Sequence, residues 1–210
     1  MARRMESHLL EGPAGQLEAL LEEPEEGNPL EACLVCHPHP LYGGTMLNKV
    51  VYRVARGLRK SGSVVLRFNF RGAGRSAGKH DNGIGEVEDA RAALTWLQQR
   101  YPEIPYALAG FSFGSRVIMR LGCSLEHPNP ARLIAVGFPT QRESTEYLSR
   151  CRLPKFFVQS THDEHGPKAE LESLFATIAE PKRLIFIEAA DHFFAGNLDG
   201  LEEAISGLVL

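Results

Sequence analysis

Gly110-Phe111-Ser112-Phe113-Gly114 follows an apolar run, Tyr106 to Ala109, and precedes a helical-looking run, Arg116 to Gly122. A serine two residues from a glycine on either side, in a strand-to-helix turn, is set out for nucleophilic attack. The turn is so tight that side chains two residues either side of the serine would collide with it, and glycine also tolerates positive φ. Ser112 Oγ would stand at a helix N-terminus, where the backbone favours negative charge. A serine hydroxyl is a poor nucleophile near neutral pH. It needs a base to take its proton and a carboxylate to orient that base. The histidines downstream are His127, His162, His165 and His192, and the carboxylates beside them include Asp163, Glu164 and Asp191.

Elements that could bring such residues together are legible in the chain. Ser7 to Gly12 and Leu17 to Glu22 read as a hairpin across Pro13-Ala14-Gly15. Ala32 to Cys36 is a short apolar run suited to a central parallel strand. Met46 to Lys60 reads as a helix with Thr45 as its N-cap, because Met46, Val50, Val51, Val54 and Leu58 recur at helical spacing. Val64 to Asn69 is the next strand, and Glu86 to Gln99 an amphipathic helix. After the serine turn come strands at Leu133 to Gly137, Phe156 to Gln159 and Leu184 to Ile187, with helices at Lys168 to Ala179 and Leu198 to Leu208. Such alternation predicts an α/β fold: a mostly parallel, twisted sheet of about eight strands with helices on both faces. Ligands of such sheets sit beyond the C-terminal strand ends. Asp163 lies just past the penultimate strand, and His192 in the loop after the last one.

The chain has 210 residues, 43% of them hydrophobic, and a net charge of -3. That predicts one domain over 1–210 with one sizeable core. No basic stripe is present, so a nucleic-acid partner is not expected. No apolar run is long enough to span a membrane. Met1-Ala2-Arg3-Arg4 opens like a signal peptide, but Glu6 and His8 stand where its apolar core should be, which predicts a cytoplasmic protein. The pattern of the four cysteines suggests no disulfide framework. Cys33-Leu34-Val35-Cys36, followed by His37 and His39, has the spacing of a redox or zinc site. On a strand, however, residues three apart face opposite sides, and no second cluster completes four ligands. Neither a metal nor a cofactor is expected. Oligomeric state is left open.

Three further segments carry a resemblance. They are His37-Pro38-His39-Pro40-Leu41-Tyr42-Gly43-Gly44-Thr45-Met46 with Asn48-Lys49-Val50-Val51, then Phe68-Asn69-Phe70-Arg71-Gly72-Ala73-Gly74-Arg75-Ser76-Ala77-Gly78, and Asp191-His192-Phe193-Phe194. With the serine turn, they make the chain resemble the compact bacterial branch of the α/β-hydrolase superfamily, close to dienelactone hydrolase-like proteins. Dienelactone hydrolase itself uses cysteine where this chain has Ser112, so its substrate does not carry over.

The resemblance implies the chain order serine, acid, histidine. His127 comes too early, and His162 and His165 flank Asp163 and Glu164 after the penultimate strand; His192, in the loop after the last strand, stands where the fold delivers its base, with Asp163 as the acid and Glu164 and Asp191 as its rivals. It also implies that the loop after the first central strand supplies half of an oxyanion hole. One donor would be the N–H of Phe113. The other would come from His37 to Gly44, where Pro38 and Pro40 have no N–H. His39 and Leu41 remain, with Tyr42 behind them, and Leu41 is preferred. His37 and His39 otherwise read as structural residues of a proline-stiffened loop. Arg71-Gly72-Ala73-Gly74 reads as a tight turn, because its third glycine, Gly78, falls one position late for a nucleotide-binding loop.

Only Phe138 to Leu153 separates two strands where many such proteins insert a helical lid. No substantial lid, and an open site, are therefore expected. Leu41, Tyr42, Phe111, Phe138, Phe193 and Phe194 are candidates for its apolar walls. The function implied is a serine carboxylesterase acting on small, short-chain acyl esters. Peptidase or acyltransferase chemistry with the same triad, or a non-catalytic interaction role on this fold, are the alternatives.

Overall fold

The computed structural model describes residues 5–125, 129–141 and 144–208; His127 lies outside them. Strands β1 (Met5–Gly12) and β2 (Gly15–Glu22) form the hairpin, with Gly12 paired to Gly15 across a two-residue turn. The alternation follows as β3 (Glu31–Cys36), α1 (Lys49–Lys60), β4 (Ser63–Phe68), α2 (Ile84–Arg100), β5 (Tyr106–Phe111), α3 (Phe113–Ser124) and β6 (Arg132–Val136). It closes with β7 (Lys155–Ser160), α4 (Lys168–Thr177), β8 (Lys182–Ile187) and α5 (Leu198–Ser206). All eight strands join one sheet in the order β1-β2-β4-β3-β5-β6-β7-β8. The β1–β2 and β2–β4 pairs are antiparallel, and the other five are parallel.

The chain runs from β3 outward to β4, then returns to lay β5 against the other side of β3. Right-handed crossovers in opposite directions put their helices on opposite faces. Accordingly α1 packs on one face with α5, through Val50, Val54, Leu58, Leu201 and Ile205. The other face is covered by α2 and α3, through Ala93, Leu97, Ile118 and Leu121. The reversal leaves a crevice beyond the C-terminal ends of β3 and β5, the place where α/β sheets bind ligands.

Two local features differ from expectation. Helix α1 starts at Lys49 rather than Met46, because Asn48 Oδ1 caps it by accepting from Val50 N at 2.8 Å. Met46 is committed elsewhere: its N–H donates to Asn69 Oδ1 at 2.8 Å, and its carbonyl accepts from Arg67. Helix α3 starts at Phe113 directly after the serine turn, which puts Ser112 at a helix N-terminus as expected. Cys123, at the end of α3, is disulfide-bonded to Cys151 in the segment before β7, a pairing that the cysteine spacing does not forecast. Cys33 and Cys36 are free and buried, and they fall in the two opposite core clusters, as strand alternation requires.

Among the described residues, the β6–β7 connection contains only a 3-10 turn at Glu146–Ser149, and no lid is present. No helix among them is long and apolar enough to cross a membrane.

Candidate active site

Four loops leave the C-terminal strand ends side by side. The last β3–β5 pair is Cys36 with Gly110, so the His37–Gly44 loop and the serine turn emerge together. Phe111 pairs with Val136, and Ser112 N donates to Val136 O at 2.9 Å, which seats the turn against β6. Ser160 pairs with Ile187, so the loops after β7 and β8 also emerge as neighbours.

Ser112 has φ 55 and ψ -121, a conformation that costs a non-glycine residue about 1–3 kcal/mol and holds its side chain clear of the sheet. A Cβ on Gly110 would lie 2.3 Å from Gly114 O, and one on Gly114 would lie 2.4 Å from Cys36 O. Both glycines are therefore demanded by close backbone approach. The second contact also brings the start of α3 against the β3 loop.

His192 Nε2 lies 2.9 Å from Ser112 Oγ, and His192 Nδ1 lies 2.7 Å from Asp163 Oδ2. The carboxylate accepts, so the proton sits on Nδ1 and the Nε2 lone pair faces the serine O–H. Both His192 and Asp163 are buried. Asp163 Oδ2 also accepts from Gln159 Nε2 at 2.9 Å, and Oδ1 accepts from His165 N and Gly166 N at 2.8 and 2.9 Å. Four donors thus converge on one carboxylate and fix its position.

The rival acids do other work. Glu164 Oε2 accepts from His192 N at 3.0 Å and steadies the backbone of the base. Asp191 Oδ1 accepts from Phe193 N and Ala195 N and folds the loop. His162 Nδ1 lies against Ala189 O, whereas the His165 ring stands edge-on to His192 at 4.6 Å.

His37 is buried. Its Nε2 accepts from Phe70 N at 3.0 Å, so its Nδ1 carries the proton and donates to Pro38 O. Burial lowers its pKa to about 4, against weaker opposition from the Pro38 hydrogen bond. It is a neutral brace for the loop, as expected. His39 lines the cleft, and its Nδ1 accepts from Leu41 N at 3.3 Å.

The cleft has a volume of about 470 Å³ and contains Ser112 and His192. Tyr42, Phe113 and Phe193 line it, as do His80, Asn82, Arg116 and Gly137's neighbour-once-removed Pro139. Several expected wall residues do not. Phe111, Phe138 and Phe194 are fully buried, and Leu41 is 69% exposed outside the cleft. Phe111 shares its sheet face with Ala107 and Ala109, so alternation along β5 carries it into the core, where it stacks at 4.8 Å on His192. Phe138 packs edge-on to Phe157.

Two residues of the site were not anticipated. Gln159 accepts from Phe138 N at 2.8 Å while holding Asp163, and it reads in sequence only as a polar residue inside an apolar strand. Gly137 has φ 55, and a Cβ there would lie 3.0 Å from His192 Cε1 and 2.8 Å from Phe111.

Comparison with known proteins agrees with this fold. Residues 39–202 match the family described as alpha/beta hydrolase domain. An uncharacterised protein of Rickettsia prowazekii is 37% identical over 95% of this chain and 86% of its own. The structure of an alpha-beta serine hydrolase homologue from Coxiella burnetii is 38% identical, with a TM-score of 0.92 over 97% of each chain. A lid-less α/β serine hydrolase of Xanthomonas campestris is 34% identical, with a TM-score of 0.88 over 96% of this chain and 92% of its own.

Proposed function

Because this chain belongs to the alpha/beta hydrolase family, we propose that it is a serine hydrolase that cleaves carboxylic esters through an acyl-enzyme. The observation that carries the reading is the relay itself, Ser112 Oγ to His192 Nε2 at 2.9 Å and His192 Nδ1 to Asp163 Oδ2 at 2.7 Å. Ser112 Oγ attacks the ester carbonyl while its proton passes to His192 Nε2. Asp163 holds the ring in the required tautomer and stabilises the imidazolium. The leaving alkoxide takes the proton back from Nε2–H as the tetrahedral intermediate collapses. Water then attacks the acyl carbon, again giving a proton to His192, and the acid departs with Ser112 restored.

Negative charge on the carbonyl oxygen needs two N–H donors, each worth about 3 kcal/mol in the transition state. Phe113 N–H, the first of α3, is one. For the other, His39 replaces Leu41. The Leu41 amide donates to His39 Nδ1 at 3.3 Å, inside the loop. His39 lines the cleft, and Leu41 does not.

A cleft without a cap among the described residues offers limited area to a long chain, which favours short acyl groups. An organophosphonate probe should label Ser112 alone, as read by peptide mapping. Ser112→Ala should lose labelling and about 10⁵-fold or more in kcat on p-nitrophenyl acetate while keeping its melting temperature. Modification of a different residue, or hydrolysis that survives in Ser112→Ala, would overturn the assignment.

A further inference from the structure

One wall of the cleft is built from rings. His39 lies 4.8 Å from Tyr42, 4.6 Å from His80 and 4.9 Å from Phe113, and His80 lies 5.7 Å from Phe113, all between ring centroids. All four side chains line the cleft that holds Ser112. Phe193 also lines the cleft, 5.4 Å from the His192 ring. Tyr42 is 78% exposed and Phe193 is 37% exposed, so two large rings are left to water at the mouth of a reactive site. Rings of this kind gain most when a partner covers them, and they favour offset-stacked or edge-to-face partners.

Resting on the serine-hydrolase reading, we infer that the substrate ester carries a flat aromatic ring, seated on the wall of His39, Tyr42, His80 and Phe113. A ring cluster could also hold a cation. Here no described lining residue is a carboxylate, and Lys49 Nζ stands 5.7 Å from the Phe193 centroid. That surrounding charge disfavours a quaternary ammonium and suits a neutral or acidic aromatic group.

The test compares esters of equal carbon number that differ only in ring flatness. Methyl 3-phenylpropionate is set against methyl 3-cyclohexylpropionate, and 2-phenylethyl acetate against 2-cyclohexylethyl acetate. The aromatic member of at least one pair should show a kcat/KM about 5-fold higher, the range expected for ring–ring contact. In Tyr42→Leu, which keeps apolar bulk without a flat ring, that ratio should fall toward one. Ratios of one in both pairs for the native protein overturn the inference and leave the hydrolase reading standing. Absence of both ester cleavage and Ser112 labelling overturns the hydrolase reading. The ring wall is then judged by ligand-observed NMR of 3-phenylpropionate and 2-phenylethanol against their cyclohexyl counterparts. Preferential binding of the flat compounds, lost in Tyr42→Leu, supports the wall, and equal or absent binding overturns it.

Discussion

Gly137 shows how little room the catalytic geometry leaves. Its φ of 55 is the left-handed region that a side chain resists, and the space a Cβ would take lies 3.0 Å from His192 Cε1. The imidazole is already stacked on Phe111 at 4.8 Å, and the same Cβ would lie 2.8 Å from Phe111, so both rings would be pressed together. Gly137→Ala is expected to lower kcat, by less than the about 100-fold that a misplacement near 1 Å would cost, with KM changed much less. Steady-state kinetics on a short ester check this, and an unchanged kcat would show that Gly137 does not seat the base. Gln159 acts one step further out, linking Asp163 to Phe138 N and to Gly166 O.

At the scale of elements, the serine turn is held by what precedes and follows it. Helix α1 supports the β3 side of the crevice, and its N-terminus depends on the Asn48 side chain bonded to Val50 N. Asn48→Ala should cost about 1 kcal/mol in urea unfolding, while Thr45→Ala should cost less, because Thr45 Oγ1 reaches only Leu47 N at 3.3 Å. A midpoint equally sensitive to both would contradict the observed cap. At its far end, α3 is tied by Cys123–Cys151, which closes a loop with a sequence separation of 28. Loop-closure entropy puts the stabilisation at about 3–4 kcal/mol. Thermal unfolding with and without dithiothreitol should therefore show a clearly lower melting temperature under reduction, and coincident curves would mean that the bond contributes nothing.

Across the whole molecule, the sheet collects groups from distant parts of the chain and withdraws them from water. His37 shows the consequence for acid stability. Its folded pKa of about 4 lies below the unfolded value of 6.5, because burial penalises the charged ring. The unfolded chain therefore binds the proton first as pH falls. The stabilisation is fully present above 6.5, declines from there, and is gone by about pH 4. The loss is about 3 kcal/mol. Chemical unfolding of native protein and His37→Gln at pH 7.5 and 4.5 checks this: the native protein should lose more stability over that interval than the variant. Equal losses would place the acid sensitivity elsewhere.

Local chemistry in the chain was enough to determine the strand–helix alternation, the glycines around Ser112, and the placement of Asp163 and His192 in loops after the last strands. These follow from short-range rules: side-chain periodicity, the steric needs of a sharp turn, and the directionality of a parallel sheet. Alternation along β5 also contained the signal that Phe111 points away from the cleft, with Ala107 and Ala109. Tertiary packing alone decided the rest. Which residue of the His37–Gly44 loop faces the cleft depends on how the 3-10 turn folds, which brings His39 to it and turns Leu41 away. Whether a ring lines the cleft or the core, as Phe113 and Phe138 do respectively, depends on what helix or loop covers it. The meeting of His80 with His39, and of Cys123 with Cys151, joins residues that no periodicity relates. Distances along a chain set what each segment can form, and only closure of the sheet sets which segments touch.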